Sequence, residues 1–421
     1  MSETVPKDWQ KKKLGEIGKF STSSVDKKIN LNEQYVYLLN YMDIYRNSIL
    51  DESYPFQSIT APKRQISSSN VVSGDVFFTP SSETPDDIGH SCVFIGNIKN
   101  LVHSYHTIRY RTHSPKVLDD RFKAYAFKSN DTYTYFRKAA TGSTRFTISL
   151  PFFKELEVLI PPSPEQKKIA SILTSVDEVI ENTQKQIDKL QDLKKATMNE
   201  LLTKGIGHTE FKDSELGRIP KSWEVTFLDN LGNFSKGKGI SKKDTSTRGV
   251  PCIRYAEIYT NYDYVIKQFR SFISKDKVST TKKLKKNDIV FAGSGETIAD
   301  IGKSVSFVHE CEAYVGGDTI VFSPIDGVDS TFLSYQLNDD IRRIQLRKLG
   351  QGSSIVHIYS SGLKCMRVCL PPLYEQQKIA SILTFLEDVI EDKRNKLYQT
   401  QSLKKSLMQD LLTGKIRVQV N

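Results

Sequence analysis

The side chains best suited to chemistry in the first half of the sequence are one cysteine and three histidines, Cys92, His103, His106 and His113. Thiolates and imidazoles are the usual ligands of zinc, so this group could form a metal site. On a β-strand, however, His103 and His106 would point to opposite faces, and the second half of the chain has no counterpart to the group. The pattern favours structural or surface histidines, and we expect no metal and no other cofactor.

Other catalytic patterns are incomplete. Pro85-Asp86 could begin a nuclease motif, but no acidic residue between Ile88 and Leu118 is present to share a metal ion. The glycine-rich segment GSGET at 293–297 is a weak phosphate-site signal, and there is no G-x-x-x-x-G-K-[ST] loop. The Pro-Pro sequences at 160–163 and 370–373 lack the acid or amide and the aromatic residue of an amino-methyltransferase motif. We therefore expect a non-catalytic chain.

Composition narrows the class of protein further. The 421 residues carry a net charge of +11 and are 38% hydrophobic, which is typical of a globular chain of about two to three domains and permits nucleic acid as a partner. No apolar run approaches the roughly 18 residues of a membrane span, and the N-terminal sequence does not resemble a secretion signal. The five scattered cysteines favour a reduced cytoplasm over a disulfide framework.

The architecture follows from an internal repeat. EQKKIASILT at 165–174 matches EQQKIASILT at 375–384 in nine of ten positions, and Pro-Pro precedes both copies. The blocks before them repeat more faintly, since Pro-Lys-x-Trp opens each block at Trp9 and Trp223. SSETPDDIGHS at 81–91 also matches SGETIADIGKS at 294–304. The offset stays between 210 and 214, so both blocks should share one fold.

The repeated segments have the 3–4 residue apolar spacing of long amphipathic helices. In the first copy Ser163 is the expected N-cap, Gln166 would complete a capping box, and Gly205 would end the helix. The second copy lacks the Ser-Pro start, but Gly414 would still end it. Rods of about 39 residues would overhang a domain of this size, so we expect them to pair antiparallel.

The blocks have the pattern of mixed α/β domains with short strands. We expect three equivalent strand pairs, around residues 74–78 and 287–291, 106–112 and 318–324, and 156–162 and 366–372. The fold class is therefore α+β, with two similar mixed α/β domains separated by two long antiparallel helices and related by a pseudo-two-fold repeat. The expected boundaries are 1–160 and 206–370 for the blocks, and 161–205 and 371–421 for the helices.

This arrangement resembles the specificity subunits of type I restriction–modification systems. The resemblance covers essentially the whole chain and rests on P-K-x-W opening each block, the Gly-Ser element before the last strand, and P-P-x-x-E-Q-[KQ]-K-I-A-S-I-L-T opening each helix. It implies two target-recognition domains, each reading one half of a split double-stranded DNA site. It also implies helices that dock two methyltransferase subunits and, through them, restriction subunits, while the chain itself binds no S-adenosylmethionine. The helix side chains expected to serve subunit contacts are Ile180, Ile187, Leu193, Leu201, Ile390, Leu397, Leu403 and Leu411.

Charge and the repeat select candidate DNA contacts. The blocks carry 21 basic against 17 acidic and 24 basic against 19 acidic side chains, which suits phosphate binding, whereas the first helix is neutral. Positions shared by both blocks cannot carry different base preferences, so Thr84, Asp87, Gly89 and Gly142 are expected to serve the fold or phosphates. The candidates are matched positions that differ, basic residues, and the serines of the two Gly-Ser elements. They are Lys63, Arg64, His90, Tyr105, His106, Arg109, Arg111, Ser143, Arg145, Lys282, Lys283, Lys303, Asp318 and Ser353.

Two other interpretations remain open from the sequence. One is a self-contained DNA-modifying enzyme, which the missing motifs disfavour. The other is a coiled-coil scaffold whose basic blocks bind RNA or acidic proteins.

Overall fold

A computed structural model describes residues 5–419, and it divides into two compact units. Unit 1 combines Met1–Lys185 with Arg394–Asn421, and unit 2 is the continuous stretch Gln186–Lys393. Each unit therefore contains one block of the repeat together with one half of each long helix.

The block of unit 1 alternates short strands with short helices. Its strands are β1 (Gln10–Lys13), β2 (Gly18–Thr22), β3 (Gln34–Leu39), β4 (Ile49–Leu50), β5 (Gln57–Ala61), β6 (Val76–Phe78), β7 (Ser81–Ser82), β8 (Ser91–Phe94), β9 (Leu101–His103), β10 (Ile108–Thr112), β11 (Phe146–Thr147) and β12 (Glu157–Ile160). Its helices are α1 (Leu14–Ile17), α2 (Tyr41–Arg46), α3 (Lys63–Ser68), α4 (Asp120–Ala126), α5 (Asn130–Ala139) and α6 (Leu150–Glu155), and the long helix α7 (Ser163–Lys204) follows.

The strands of unit 1 form two main sheets and two small ones. The larger sheet has the order β2-β10-β6-β8-β4, and a three-stranded sheet has the order β5-β3-β9 with β3 and β9 parallel. Strand β1 pairs with β12 just before helix α7, and β7 pairs with β11. The main core packs the inner face of the larger sheet against α4, α5 and the first turns of α7.

The block of unit 2 has the same plan. Its strands are β13 (Phe211–Ser214), β14 (Gly217–Pro220), β15 (Glu224–Phe227), β16 (Gly232–Lys236), β17 (Val250–Ile253), β18 (Ser271–Ile273), β19 (Lys282–Lys283), β20 (Asp288–Ala292), β21 (Ser294–Gly295), β22 (Ser304–Phe307), β23 (Tyr314–Val315), β24 (Thr319–Pro324), β25 (Val356–His357) and β26 (Arg367–Leu370). Its helices are α8 (Tyr255–Thr260), α9 (Ser330–Leu337), α10 (Asp340–Leu349), α11 (Ser360–Lys364) and the long α12 (Leu373–Leu412), with short 3₁₀ turns at Leu228–Leu231, Lys242–Asp244 and Lys275–Thr280.

Sheet order shows that the two blocks share one topology. The order β16-β24-β20-β22 repeats β2-β10-β6-β8, and β18-β17-β23 repeats β5-β3-β9 with the same parallel pair. The pairs β15-β26 and β21-β25 repeat β1-β12 and β7-β11. Unit 1 adds β4, whereas unit 2 adds β19 and the β13-β14 hairpin. The predicted common fold and the three predicted strand pairs are confirmed, with β6/β20, β10/β24 and β12/β26 at the expected places.

Within each unit the two long helices pack antiparallel. In unit 1, Ile169 and Leu173 near the start of α7 share a core with Leu411 and Leu412 at the end of α12. In unit 2 the order is reversed, because Leu202 near the end of α7 shares a core with residues near the start of α12. The helices end as predicted, with Gly205 and Gly414 in the left-handed region at φ +66° and +74°.

One detail of the helix starts is wrong in the prediction. Ser163 lies inside α7, and the side chain of Gln166 does not close a capping box with it. Instead, Nε2 of Gln166 donates to the carbonyl of Pro161 at 2.9 Å, and Nε2 of Gln376 donates to that of Pro371 at 2.8 Å. Because the proline carbonyl is the acceptor in both copies, the missing Ser-Pro in the second copy has no effect on where α12 begins.

Candidate nucleic-acid interface

A short exposed hairpin precedes the last strand of each block. In unit 1, Thr141 and Thr147 exchange two backbone hydrogen bonds of 3.0 and 2.9 Å, and residues 142–145 between them are exposed. Gly142 has φ +141°, and a Cβ there would lie 2.2 Å from the carbonyl oxygen of Arg145. Only glycine fits this turn, so the shared Gly142/Gly352 pair serves the fold.

Unit 2 repeats this hairpin closely. Gln351 and His357 exchange bonds of 2.9 and 2.7 Å, and a Cβ on Gly352 would lie 2.2 Å from the carbonyl oxygen of Ile355. Ser353 and Ile355 are exposed, as Ser143 and Arg145 are in unit 1. The two hairpins thus present different side chains from one backbone shape.

Each hairpin pairs with a short strand of its own block, β7 in unit 1 and β21 in unit 2, in the same register. Thr147 pairs with Ser81, and His357 pairs with Ser294. A helix tyrosine donates to each serine carbonyl, Tyr41 of α2 at 2.8 Å to Ser81 and Tyr259 of α8 at 3.0 Å to Ser294. Ser294 also shares a 2.9 Å hydrogen bond between its Oγ and Nδ1 of His357.

Four of the predicted candidates in unit 1, namely Ser143, Arg145, His106 and Tyr105, belong to its hairpin or lie next to it. Arg145 contacts Oγ of Ser81 at 3.3 Å through Nη2, and the ring of Tyr105 lies 3.8 Å from that of His106. Partial burial, together with the positive charges of Arg145 and Lys27, lowers the pKa of His106. This shift favours the neutral imidazole, whose ring can donate or accept a hydrogen bond.

Two other candidates, Arg109 and Arg111, are engaged inside unit 1. Arg111 forms a two-point ion pair with buried Asp75, with Nε–Oδ1 at 2.6 Å and Nη2–Oδ2 at 2.7 Å. Arg109 donates through Nη1 to the carbonyl and the side chain of Asn70. Both guanidinium groups tie β10 to the preceding chain. Arg111 donates from Nε and twice from Nη2, whereas Arg109 donates only from Nη1, and its buried Nε has no hydrogen-bond partner among residues 5–419.

The remaining candidates of unit 1 are dispersed. Lys63 and Arg64 are exposed at the start of α3. His90 is half-buried, with Nε2 2.7 Å from Oδ1 of Asp87, and Asp87 also accepts from Tyr45. The shared Asp87 therefore serves the local fold.

In unit 2 the candidates separate in the same way. Asp318 is exposed in a turn with φ +57°, and its carbonyl accepts from the amide of Gly293 at 2.8 Å. Gly293 in turn accepts from Ile358, so the Asp318 turn is tied to the end of the 351–357 hairpin. Lys303 is tethered by a 2.6 Å hydrogen bond from Nζ to the carbonyl of Tyr262, and burial lowers its pKa.

Lys282 and Lys283 form strand β19, away from the hairpin strands in the sheet order. Lys282 is half-buried, and Lys283 lies 3.5 Å from a carboxylate oxygen of Glu312. These two lysines therefore belong to the sheet of β23 and not to the sheet that holds the hairpin.

The helix candidates divide into buried and exposed side chains. Ile187 and Ile390 are buried in unit 2, and Leu411 is buried in the core of unit 1, so these three serve the fold. Leu201, Ile180 and Leu397 are partly buried. Leu193 and Leu403 occupy equivalent positions of the repeat and are 51% and 53% exposed. Only these last two present most of their apolar surface to solvent.

Sequence reasoning missed the contacts that make the repeated motifs structural. The indole of each block tryptophan bonds to the glutamate of the helix motif, Trp9 to Glu165 and Trp223 to Glu375. The glutamine beside each glutamate accepts from a backbone amide of its own block, with Gln166 bound by Asp119 and Gln376 by Asp329. The nine-of-ten identity marked these residues as important, but it did not reveal their partners.

Two exposed tyrosines on strand β3, Tyr35 and Tyr37, are not among the DNA contacts predicted from the sequence. They have no aromatic counterpart in β17, and a single sequence gives no signal for them.

No cluster of three or more metal-ligating side chains occurs among residues 5–419. Within the same range, no helix has the length and hydropathy needed to cross a bilayer.

Comparison with known proteins identifies the family. The type I restriction modification DNA specificity domain matches residues 6–192 and again 220–399. The MjaVIII type I restriction enzyme specificity subunit of Methanocaldococcus jannaschii is 31% identical over 309 residues, covering 72% of each chain. The putative MjaX specificity subunit of the same organism is 28% identical over 426 residues, covering 98% of this chain and 95% of the relative.

A solved structure supports the same fold. The crystal structure of a type I restriction-modification system S subunit from M. genitalium aligns with 98% of this chain and 97% of its own, with a TM-score of 0.58 at 16% identity. The two matched domains correspond to the two blocks whose strand order repeats. The chain therefore belongs to the family of type I restriction–modification DNA specificity subunits and carries two copies of the family's domain.

Proposed function

We propose that this chain is the non-catalytic subunit that selects the DNA sequence for a type I restriction–modification complex. Each block would bind one half of a bipartite, asymmetric double-stranded site. The exposed faces of the helices would hold two methyltransferase subunits, and restriction subunits would join through these. The five cysteines are free, which is consistent with action in the reducing cytoplasm.

One observation carries this proposal. The two blocks repeat the same sheet order and the same closed hairpin, yet at equivalent positions they present different chemistry, half-buried His106 and exposed Arg145 in unit 1 against exposed Asp318 and Ile355 in unit 2. A duplicated scaffold with divergent exposed side chains suits the reading of two different half-sites. It offers no comparable advantage to an enzyme with a single active site.

The charge of the blocks also supports DNA as the ligand. Both are net positive, and Lys63 and Arg64 are exposed without an ion pair to a carboxylate among the described residues. Such side chains can neutralise phosphates and make affinity salt-dependent without selecting a sequence.

The test is a block exchange. Residues 1–160 are replaced by the equivalent block of a relative with another specificity, and methylated adenines are mapped across the genome of the host. We expect one half-site to change while the other persists. A change in both half-sites, or in neither, would contradict the proposal. Incubating the purified chain alone with labelled S-adenosylmethionine and DNA is the control, and it should transfer no label.

A further inference from the structure

The tips of the two hairpins have no explanation in the fold of either unit. Arg145 is exposed, and no carboxylate lies within 4 Å of it among residues 5–419; its hydrogen bond is the 3.3 Å contact with the hydroxyl of Ser81. Ile355 occupies the equivalent position and is 56% exposed. Neither side chain contributes to a core cluster in the described part of the chain.

The backbone beneath these side chains is rigid for its length. Two reciprocal hydrogen bonds close each loop, and a glycine that tolerates no Cβ fixes the turn. The loop is also paired with the Ser81–Ser82 or Ser294–Gly295 strand, whose serine carbonyl accepts a hydrogen bond from a tyrosine. A rigid, exposed support of this kind can place one side chain at a base edge with little loss of conformational entropy.

The two side chains differ in the base that they can recognise. The guanidinium of Arg145 has the planar fork that fits O6 and N7 of guanine in the major groove. The branched aliphatic side chain of Ile355 has no donor, and its natural contact in the same groove is the C5-methyl group of thymine.

Resting on the proposed function, we infer that Arg145 and Ile355 are the equivalent base-discriminating residues of the two half-sites. Arg145 selects a guanine in the half-site read by unit 1. Ile355 selects a thymine in the half-site read by unit 2. The neighbouring His106 and Asp318 contribute to the same surfaces, whereas Arg109, Arg111 and Lys303 remain structural.

The experiment uses the full chain expressed in a host strain from which the native copy has been deleted. Wild type, Arg145→Ile, Arg145→Lys and Ile355→Arg are compared by genome-wide mapping of methylated adenine. Arg137→Ile is the matched control, because Arg137 is an exposed arginine of the same block on helix α5. Thermal unfolding of each purified variant establishes that it is folded.

We expect Arg145→Ile to reduce the preference for guanine at one position of one half-site by about 5- to 150-fold and to leave the other half-site unchanged. Arg145→Lys should lose most of the same preference, because an amine lacks the fork. Ile355→Arg should alter one position of the other half-site. Arg137→Ile should reproduce the wild-type motif.

Two results would overturn the inference. The first is an unchanged motif for Arg145→Ile and Ile355→Arg. The second is uniformly weaker binding of Arg145→Ile to 30-base-pair duplexes containing the wild-type site, with a shallower salt dependence and unaltered base preference, because this would identify a phosphate contact. If the block exchange changes one half-site while these variants do not, the proposed function stands and only the assignment of the hairpin tips fails.

Discussion

The indole Nε1 of Trp9 donates a hydrogen bond of 3.0 Å to Oε2 of Glu165, and both side chains are buried. Trp223 and Glu375 repeat this contact at 3.1 Å in unit 2. The tryptophan belongs to the motif that opens each block, and the glutamate to the motif that opens each long helix. The most recognisable residues of the sequence therefore join each block to its helix, and they are structural rather than DNA-binding.

Each of these carboxylates has a second partner from the segment that follows the neighbouring helix. In unit 1, Glu165 accepts two hydrogen bonds from Arg417, at 2.7 and 2.8 Å, and Arg417 also donates to the carboxylate of Asp8. In unit 2, the imidazole of His208 lies 2.8 Å from Glu375. Arg417 and His208 each stand three residues after the glycine that ends the helix.

Removing the carboxylate of Glu165 should destabilise unit 1. Glu165→Ala leaves the buried indole N–H of Trp9 without an acceptor, and we expect the free energy of unfolding to fall by about 2 kcal/mol. Urea titration followed by tryptophan fluorescence measures it, since each unit contains one tryptophan. Glu157→Ala, at an exposed position of β12, is the control and should change stability by less than about 0.5 kcal/mol. Equal effects of the two substitutions would contradict the role of Glu165.

Acid should destabilise unit 1 through His103. Burial, assisted by the charges of Arg109 and Arg111, lowers the pKa of His103 to about 3, against about 6.5 in an unfolded chain. Between these values the unfolded chain binds a proton that the folded chain does not. This part of the stability is therefore complete above about pH 6.5 and is lost as the pH falls, by up to about 1.4 kcal/mol per pH unit.

The variant His103→Asn should show a shallower loss of stability between pH 7 and pH 5, measured by urea titration at each pH. His113→Asn is the matched control, because His113 is exposed in the same block. It should keep the wild-type slope, and the same slope for both variants would refute the assignment to His103.

The long helices carry equivalent ion pairs that should differ in strength. Lys194 lies 2.6 Å from Glu387 in unit 2, and Lys404 lies 2.5 Å from Asp177 in unit 1. Glu387 is the more buried of the two carboxylates. We expect Lys194→Met to cost about 2 kcal/mol and Lys404→Met less than about 1 kcal/mol, because a buried carboxylate that loses its cation is penalised more. Urea unfolding of both variants checks the order, and a larger effect for Lys404→Met would contradict it.

Leu193 and Leu403 should be needed for methyltransferase binding but not for folding. An aspartate at either position places a charge in the proposed contact, so Leu193→Asp and Leu403→Asp should each weaken binding at least tenfold. Because both leucines are exposed, the thermal midpoint should shift little. Gln191→Asp, on the exposed surface of α7, is the control. Titration calorimetry with the purified methyltransferase measures the binding, and wild-type affinity in both leucine variants would refute the contact.

Much of the fold follows from the sequence because duplication supplies an internal comparison. The shared positions Gly89 and Gly302 show this well. A Cβ on Gly89 would lie 2.3 Å from the ring of Phe136, and one on Gly302 would lie 2.9 Å from the side chain of Leu346. Identity between the two blocks detected both positions, although the packing that requires them comes from residues more than 40 positions away.

The individual DNA contacts are harder to predict, because charge and type do not reveal what a side chain already binds. Arg109 and Arg111 have the composition of base-reading residues, yet their partners Asn70 and Asp75 lie on a preceding segment of the chain. The difficulty with Ile355 is the reverse. It carries no charge, so a search for basic or polar residues does not select it, although the repeat aligns it with Arg145. The structure adds that it is exposed on a closed hairpin equivalent to that of Arg145.

The discontinuity of unit 1 has a consequence for synthesis on the ribosome. Unit 2 is one uninterrupted stretch, whereas the core of unit 1 requires Leu411 and Leu412, and its buried Glu165 binds Arg417. The block that is translated first therefore cannot complete its core until α12 has emerged from the ribosome. Until then, part of its apolar surface stays exposed to solvent. Premature termination of translation after unit 2 would leave the earlier half of the protein as the unfinished one.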